Sequence, residues 1–495
     1  MRKMNRFARV AAFLLTIVLV VSEGAVAVKA DDVPYTTYNY DYREYIHYTP
    51  AAYIPEKTLY GRDYTFNGES IGNFKTPQDM CKSPSGNVYI ADTGNNRIVV
   101  FDEDMSEVIN IITTFDNNGT EDSFNQPYGV CVSEKGNLYI ADSKKKRVVV
   151  LDENLNLKQI IDNPQSESLE DGFVFTPWKV AVDYADRVYV IAQNMFEGIM
   201  VFETDGQFTG FFGTIPVEIS LWEKFWRRIA TKEERANQKL YIATEFTGID
   251  VDPEGFIYAS NIDSTGVQGV RRLNPSGQDV IKKGENENVG GDLQTDGTGD
   301  YYGPSQFTDV VYRDHGIYSC LDRKRGRIFT YDHEGNLLYI FGGLGTQEGT
   351  FQLPVAIEQI GTRLCVLDAT AGSVICFEVT EYGDMINTAV GLRYDGEEAN
   401  AVALWERVLE LDENNELANV GIGKAYLSAG DYKTAMKYLK LGMNRTYYSI
   451  AYKRYRNDVL RNNISYVLTG AVILIVVIML TKKIKKKRKG VIDDD

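Results

Sequence analysis

One block of residues occurs twice at an offset of fifty: TPQDMCKSPSGNVYIADTGNNRIVVFDED from Thr76 and QPYGVCVSEKGNLYIADSKKKRVVVLDEN from Gln126. A recurrence at this period restricts the chain to a repeat architecture, because one such unit cannot bury its own apolar face and must pack on its neighbours. Each copy reads as three short strands: a Pro-led apolar run, a turn of the Ser-x-x-Gly-Asn kind, an alternating Val-Tyr-Ile-Ala-Asp strand, a tight polar turn, and an Arg-Ile-Val-Val-Phe strand. Looser copies begin at Thr176, Phe246, Phe307 and Val355, which makes six units. Linkers punctuated by Phe, Gly and Pro separate them, as in Phe66 to Pro77, Phe115 to Pro127 and Phe341 to Pro354. Their glycines permit turn dihedrals, and their Phe side chains can pack between adjacent sheets.

The Gly-Asn-x-Tyr-x-Ala-Asp and Arg-Ile-x-Val-Phe pattern resembles the NHL repeat, strongly in units one, two and five and less so in units three and four. The resemblance implies a mainly β fold, a six-bladed β-propeller over residues 57–380. Unit six turns helical before a fourth strand can form, so the segment Lys57 to Phe66 is expected to supply that strand and close the ring.

Asp92, Asp142, Asp322 and Asp368 end the second strand of their units, and Arg97, Arg147 and Arg327 open the third. Recurrence at a β-turn marks them as structural turn residues, joined by a repeated hydrogen bond or ion pair. In the same hairpin register Cys365 and Cys376 oppose each other directly, within reach of a disulfide. Two reduced, buried cysteines fit the sequence equally well. With five cysteines in all, no disulfide framework is implied.

After Glu381 the apolar period changes from two to about 3.6. Two segments, from Tyr382 and Glu416, align at an offset of 34 residues, pairing Gly396 with Gly430 and Ala401 with Ala435. Gly423, Tyr426, Gly430 and Ala435 resemble the small and large positions of a tetratricopeptide repeat, so residues 382–449 are read as two such repeats with Tyr426 on a candidate partner-binding surface. A juxtamembrane helix is expected over 450–463 and a transmembrane helix over 464–481, where Ile464 to Leu480 carries no charge. Seven basic residues in the tail, 482–495, place that end in the cytoplasm. Arg2, Lys3, Arg6 and Arg9 precede a short apolar run, Val10 to Val21, so residues 1–30 read as a secretory signal peptide and the bulk of the chain as extracellular, on a single-pass membrane protein.

The formal net charge is −16, and setting aside 1–30 and 482–495 leaves 41 basic against 65 acidic residues, or −24. Such a surface repels phosphate backbones, which argues against nucleic-acid binding.

Three more segments stand out. The Tyr-rich arm, 31–56, is too aromatic for a disordered tail; it either packs over the propeller or lines a glycan site. A helical insertion at 213–245 puts Trp222, Phe225 and Trp226 on one face, as a partner-docking helix or as a lid. Gly284 to Tyr302 carries Asp292, Asp296 and Asp300 at a spacing that matches no calcium loop, and is expected to be a solvated loop.

The only histidines, His47, His315 and His333, are scattered, and no nucleophile elbow, phosphate loop or paired-thiol motif is present. The expectation is accordingly no catalytic residue, no metal site and no cofactor. The ensemble of segments is similar to bacterial surface proteins that accompany carbohydrate ABC transporters. That resemblance implies a membrane-anchored binding, scaffold or sensor protein with a protein partner, a transporter component, and a glycan as ligand. The alternative is a metal-dependent lactonase or lyase of the propeller type.

Overall fold

The computed structural model describes residues 33–169, 172–214, 245–263, 269–284, 290–293 and 302–490. The proposed signal peptide, the insertion with Trp222, Phe225 and Trp226, and Asp296 and Asp300 lie outside the described residues.

Six antiparallel sheets follow one another along the chain. Blade 1 comprises Asp79–Lys82, Val88–Asp92, Arg97–Phe101 and Val108–Ile112, and blade 2 comprises Pro127–Val132, Leu138–Asp142, Arg147–Leu151 and Leu157–Asp162. Blade 3 runs from Pro177 to Phe212, and the described strands of blade 4 run from Phe246 to Leu273. Blade 5 runs from Phe307 to Phe341, and blade 6 from Pro354 to Val379. The first strand of each blade touches the first strand of the next, and the first strand of blade 6 touches that of blade 1, so the six form a closed ring around a channel. The molecule is a six-bladed β-propeller followed by helices.

The ring holds together because apolar side chains alternate along each strand and fill the clefts between blades. Val100, Ile112 and Phe115 meet Val130, Ile140 and Val149 between blades 1 and 2. Met80, Val88 and Val99 meet Leu367, Val374 and Ala356 between blades 1 and 6. Neighbouring first strands approach too closely for side chains at two places. A Cβ on Gly129 would lie 2.4 Å from the Trp178 carbonyl oxygen, and one on Gly248 would lie 2.4 Å from an Asp309 carboxylate oxygen.

The fourth strand of blade 6 is Tyr53–Tyr60, paired antiparallel with Ser373–Val379 from Tyr60 opposite Ser373 to Tyr53 opposite Val379. It starts four residues before the expected Lys57 and stops before Phe66, which pairs instead in a small hairpin with Glu69. Two features account for the displacement. Pro55 lies at an outer edge beside a register shift, where a missing N–H is tolerated. Gly61 packs where a Cβ would fall 2.5 Å from the Gly72 carbonyl oxygen, and the chain turns there.

The Tyr-rich arm packs on the propeller. Tyr38–Tyr40 and Ile46–Tyr48 form a hairpin that adds to the outer strand of blade 5, Tyr38 opposite Ile340.

Helix α1, Glu381–Tyr394, starts one residue beyond blade 6. The Thr380 hydroxyl caps it by accepting the Gly383 N–H, and donates to the Ala51 carbonyl oxygen at 2.6 Å. Helices α2 (Glu398–Leu411), α3 (Glu416–Ser428) and α4 (Tyr432–Leu441) follow, each packed on its predecessor. Gly421 and Gly423 let α3 approach Trp405 of α2 and Leu439 of α4. Tyr382, Met385, Ile386 and Trp405 join Tyr53, Leu338 and Phe377 in one core, and Glu334 of blade 5 pairs with Arg393 and with Lys424 at 2.7 Å, so the helices sit firmly on blades 5 and 6.

Helix α5, Arg445–Gly490, runs unbroken through Ile464 to Leu480. Its described side chains beyond Ala451 are exposed, and it is long and apolar enough to cross a membrane.

Candidate functional site

The propeller channel opens into a cavity of about 260 Å³ lined by the first strands of the blades. On a strand, side chains two residues apart share a face, so each first strand sends alternate residues into the channel. Aligning the blades by register gives two tiers. The first holds Asp79, Gly129, Lys179, Gly248, Asp309 and Ala356. The second holds Cys81, Cys131, Ala181, Asp250, Val311 and Glu358.

In the first tier the Lys179 ammonium contacts the Asp79 carboxylate and lies 3.5 Å from Asp309, bridging blades 1, 3 and 5. Asp79 and Asp309 are each 5 % exposed and Lys179 6 %. Burial works against the ammonium, but the Asp309 and Asp79 carboxylates outweigh it and hold its pKa above the ordinary value. Burial also raises both carboxylates, with Lys179 pulling the other way, and Asp309 is pushed up to about 7.

The carboxylates also join blades. Asp79 accepts the Val130 N–H at 2.9 Å and Asp309 accepts the Ile357 N–H at 3.1 Å. In the second tier Asp250 accepts the Tyr312 N–H at 2.7 Å, and Glu358 accepts the Lys82 N–H at 3.2 Å. Each bond runs from one blade to the next. Burial, with a smaller contribution from the neighbouring charge, pushes Asp250 up to about 6 and Glu358 up to about 8. Burial likewise pushes the Cys131 thiol up to about 12 and the Cys81 thiol well above its usual range, so neither is an activated nucleophile.

This arrangement fixes a pH dependence. A carboxyl raised from its unfolded value of 4.5 to about 8 contributes stability in full below the lower figure and loses it as pH rises through the upper one. Glu358→Gln keeps an acceptor oxygen but carries no charge. The variant is expected to be more stable than the parent above pH 8 and no more stable below pH 4.5. Urea unfolding at both pH values checks this, and an equal effect at the two would contradict it.

Among the described residues, none of those singled out from the sequence lines this channel. Asp92 accepts the Lys75 N–H at 2.7 Å and pairs with Arg97 at 2.7 Å; Asp142 accepts the Asn125 N–H and pairs with Arg147 at 2.9 Å. In blade 5 the pattern breaks. Asp322 accepts the Gln306 N–H and faces Arg325, while Arg327 turns to Asp292. Asp368 accepts the Gln352 N–H, with no arginine following in its turn. The four carboxylates thus anchor the linker that precedes the first strand of their own blade.

Asp292 departs from the solvated loop expected for it: it is 5 % exposed. Its carboxylate accepts the Tyr38 and Tyr40 hydroxyl hydrogen bonds and pairs with Arg327 and, at 3.2 Å, with Arg325. The residue that looked like part of an acidic loop is the anchor of the aromatic arm. Tyr426 is half-buried and stacks on Tyr438, ring centroids 5.9 Å apart, inside the helical module. Cys365 and Cys376 are directly opposed and buried, with sulfurs 2.7 Å apart as free thiols. His47 lies 3.8 Å from Asp412, whereas His315 and His333 pack against Tyr394. Among the described residues no three His, Cys, Asp or Glu side chains converge as a metal ion requires.

The NHL repeat profile matches residues 74–101 and 124–151, the first three strands of blades 1 and 2 with their linkers. The chain therefore carries NHL repeats within a six-bladed propeller. No curated protein sequence matches it. Among solved structures it is similar to virginiamycin B lyase from Staphylococcus aureus, at 10 % identity over 66 % of this chain and 99 % of that one, with a TM-score of 0.40. It is also similar to hydrazine synthase of Kuenenia stuttgartiensis, at 13 % identity over 64 % and 99 % with a TM-score of 0.36. A protein of unknown function from Bacteroides thetaiotaomicron shows 16 % identity over 65 % and 76 % with a TM-score of 0.42. At these values the likeness says nothing about activity.

Proposed function

We propose that the chain is an extracytoplasmic binding scaffold or sensor, held at the cell membrane by α5 with its tail in the cytoplasm, and serving carbohydrate uptake beside an ABC transporter component. The observation that carries this reading is the Lys179 ammonium seated between Asp79 and Asp309. The ammonium pairs the two carboxylates of the first tier, and all four channel carboxylates accept a backbone N–H from the next blade, so they act as ties between blades. The helices α1 to α4, read as two tetratricopeptide repeats, add a second surface packed on blades 5 and 6, with a glycan as the ligand class for the propeller side.

The competing reading is a metal-dependent lactonase or lyase. Lys179 weighs against it, because its cationic group stands where a channel metal would sit and repels one. Two measurements decide. Elemental analysis of the purified full-length chain is expected to find substoichiometric calcium and zinc, and one equivalent of either would overturn the scaffold reading. Solubilisation of native membranes followed by affinity purification is expected to recover a transporter subunit together with the chain. Recovery of the chain alone would remove the transporter from the proposal.

A further inference from the structure

We propose that the chain pairs with a second copy of itself, in parallel, through one face of α5. The inference rests on the reading that α5 crosses a membrane, and its observations are separate from those in the channel. Between Ala451 and the apolar run, α5 leaves the ectodomain: Tyr452 is 51 % exposed and Val459 41 %. A lone helix of that length in water is marginal unless a face of it is covered. Five charged residues decorate the stretch 446–463, namely Lys453, Arg454, Arg456, Asp458 and Arg461, and Arg445 stands before it, at the first residue of α5. Of the seven stripes that advance alternately by four and three residues along the stretch 446–463, only the one through Tyr448, Tyr452, Tyr455, Val459 and Asn462 carries no charge. The same stripe continues without a charge through Tyr466, Thr469, Ile473, Val476 and Leu480.

A repeat of 3.5 residues is the spacing that keeps a seam facing a partner helix in a left-handed two-helix supercoil. The occupant follows from that seam. Copies inserted with one orientation present α5 in parallel, and in register each seam residue meets its own counterpart. Tyr452, Tyr455 and Val459 then leave water together, which supplies a hydrophobic drive that lipid cannot supply to the span itself. Asn462 is the single amide in the seam, and meeting its own copy it fixes the register. Tyr448 is half-buried against the end of α4 and marks where the seam emerges.

The test uses the full-length chain in membranes with one cysteine at a time added on or off the seam, each compared with the parent chain and its five native cysteines. Under mild copper-phenanthroline oxidation, Tyr452→Cys, Tyr455→Cys and Val459→Cys are expected to give a reducible species of twice the chain's mass. Lys453→Cys, Asn457→Cys and Arg461→Cys are expected to give none. Adding Val459→Glu to Tyr452→Cys is expected to abolish the species without lowering the amount of chain in the membrane. Equal crosslinking at all six sites, or at none, overturns the pairing, and so does a seam crosslink at any mass other than twice that of the chain. Labelling of Lys453→Cys by a membrane-impermeant maleimide from outside separates the two layers of the argument. Labelling without seam crosslinks rejects the pair alone, and absence of labelling rejects the membrane reading beneath it.

Discussion

Replacing Asp292 with alanine is expected to destabilise the protein by about 3–5 kcal/mol and to release the aromatic arm from blade 5. The carboxylate is buried and joins the Tyr38 and Tyr40 hydroxyls to the Arg327 guanidinium. Without it, Arg327 keeps its place over the Tyr38 ring, 4.8 Å from the centroid, but loses the charge that balances it. Most of the cost is therefore the stranded cation and not the lost contact. Asp292→Asn, which still accepts hydrogen bonds, is expected to lose less. Denaturant unfolding of the detergent-solubilised chain measures both. Protease cleavage in the exposed turn 41–45 is expected to rise in Asp292→Ala. An unfolding free energy within 1 kcal/mol of the parent would show that the arm is held by packing alone.

The second large effect is at Lys179. Lys179→Met keeps most of the volume and removes the charge between Asp79 and Asp309, leaving two buried carboxylates without a cation. At neutral pH the loss is expected to be about 3–5 kcal/mol, with a sign of pH dependence that packing damage cannot imitate. Asp309 is already raised to about 7 with the lysine present, and removing the lysine raises it further. A raised carboxyl stabilises the fold at low pH and ceases to as pH climbs, so the penalty is expected to shrink steadily from pH 7 toward pH 4. Unfolding measured across that interval checks the slope. A penalty constant with pH would mean that Lys179 serves the fold through its methylenes and not its charge.

The blades were legible because their signal is local. Period two, Gly-Asn turns and the Asp-to-Arg hairpin repeat within some thirty residues, and the NHL resemblance rested on those positions. The channel is not legible in the same way. Asp79, Lys179, Asp309, Asp250 and Glu358 form no motif, and each is an unremarkable charge in an acidic chain. They come together only when the first strands of all six units are aligned, two and four residues past Pro77, Pro127, Pro177, Phe246, Phe307 and Pro354. That signal was present in the sequence but requires register, which the looser units three and four obscure. Asp292 was further from reach. Its partners lie 252 and 254 residues away in the arm, and no local pattern relates a Tyr-rich segment to one aspartate in a Gly-rich loop. The closing strand was found in kind and displaced in position, because Pro55 weakens the very residues that begin it.

The closing strand also sets an order of events. Tyr60 pairs with Ser373, more than three hundred residues later in the chain. At synthesis rates of roughly 10 residues per second, the N-terminal strand waits on the order of half a minute for its partner to exist. Before that pairing blade 6 cannot be complete, and the entropic cost of bringing the two strands together grows with the length of chain between them. The last segment needed for that pairing directly precedes α1, the first of the helices that brace blades 5 and 6. Shortening the chain from its N-terminal side past Tyr60 would leave blade 6 with three strands and expose the unpaired edge of Ser373–Val379 to other chains.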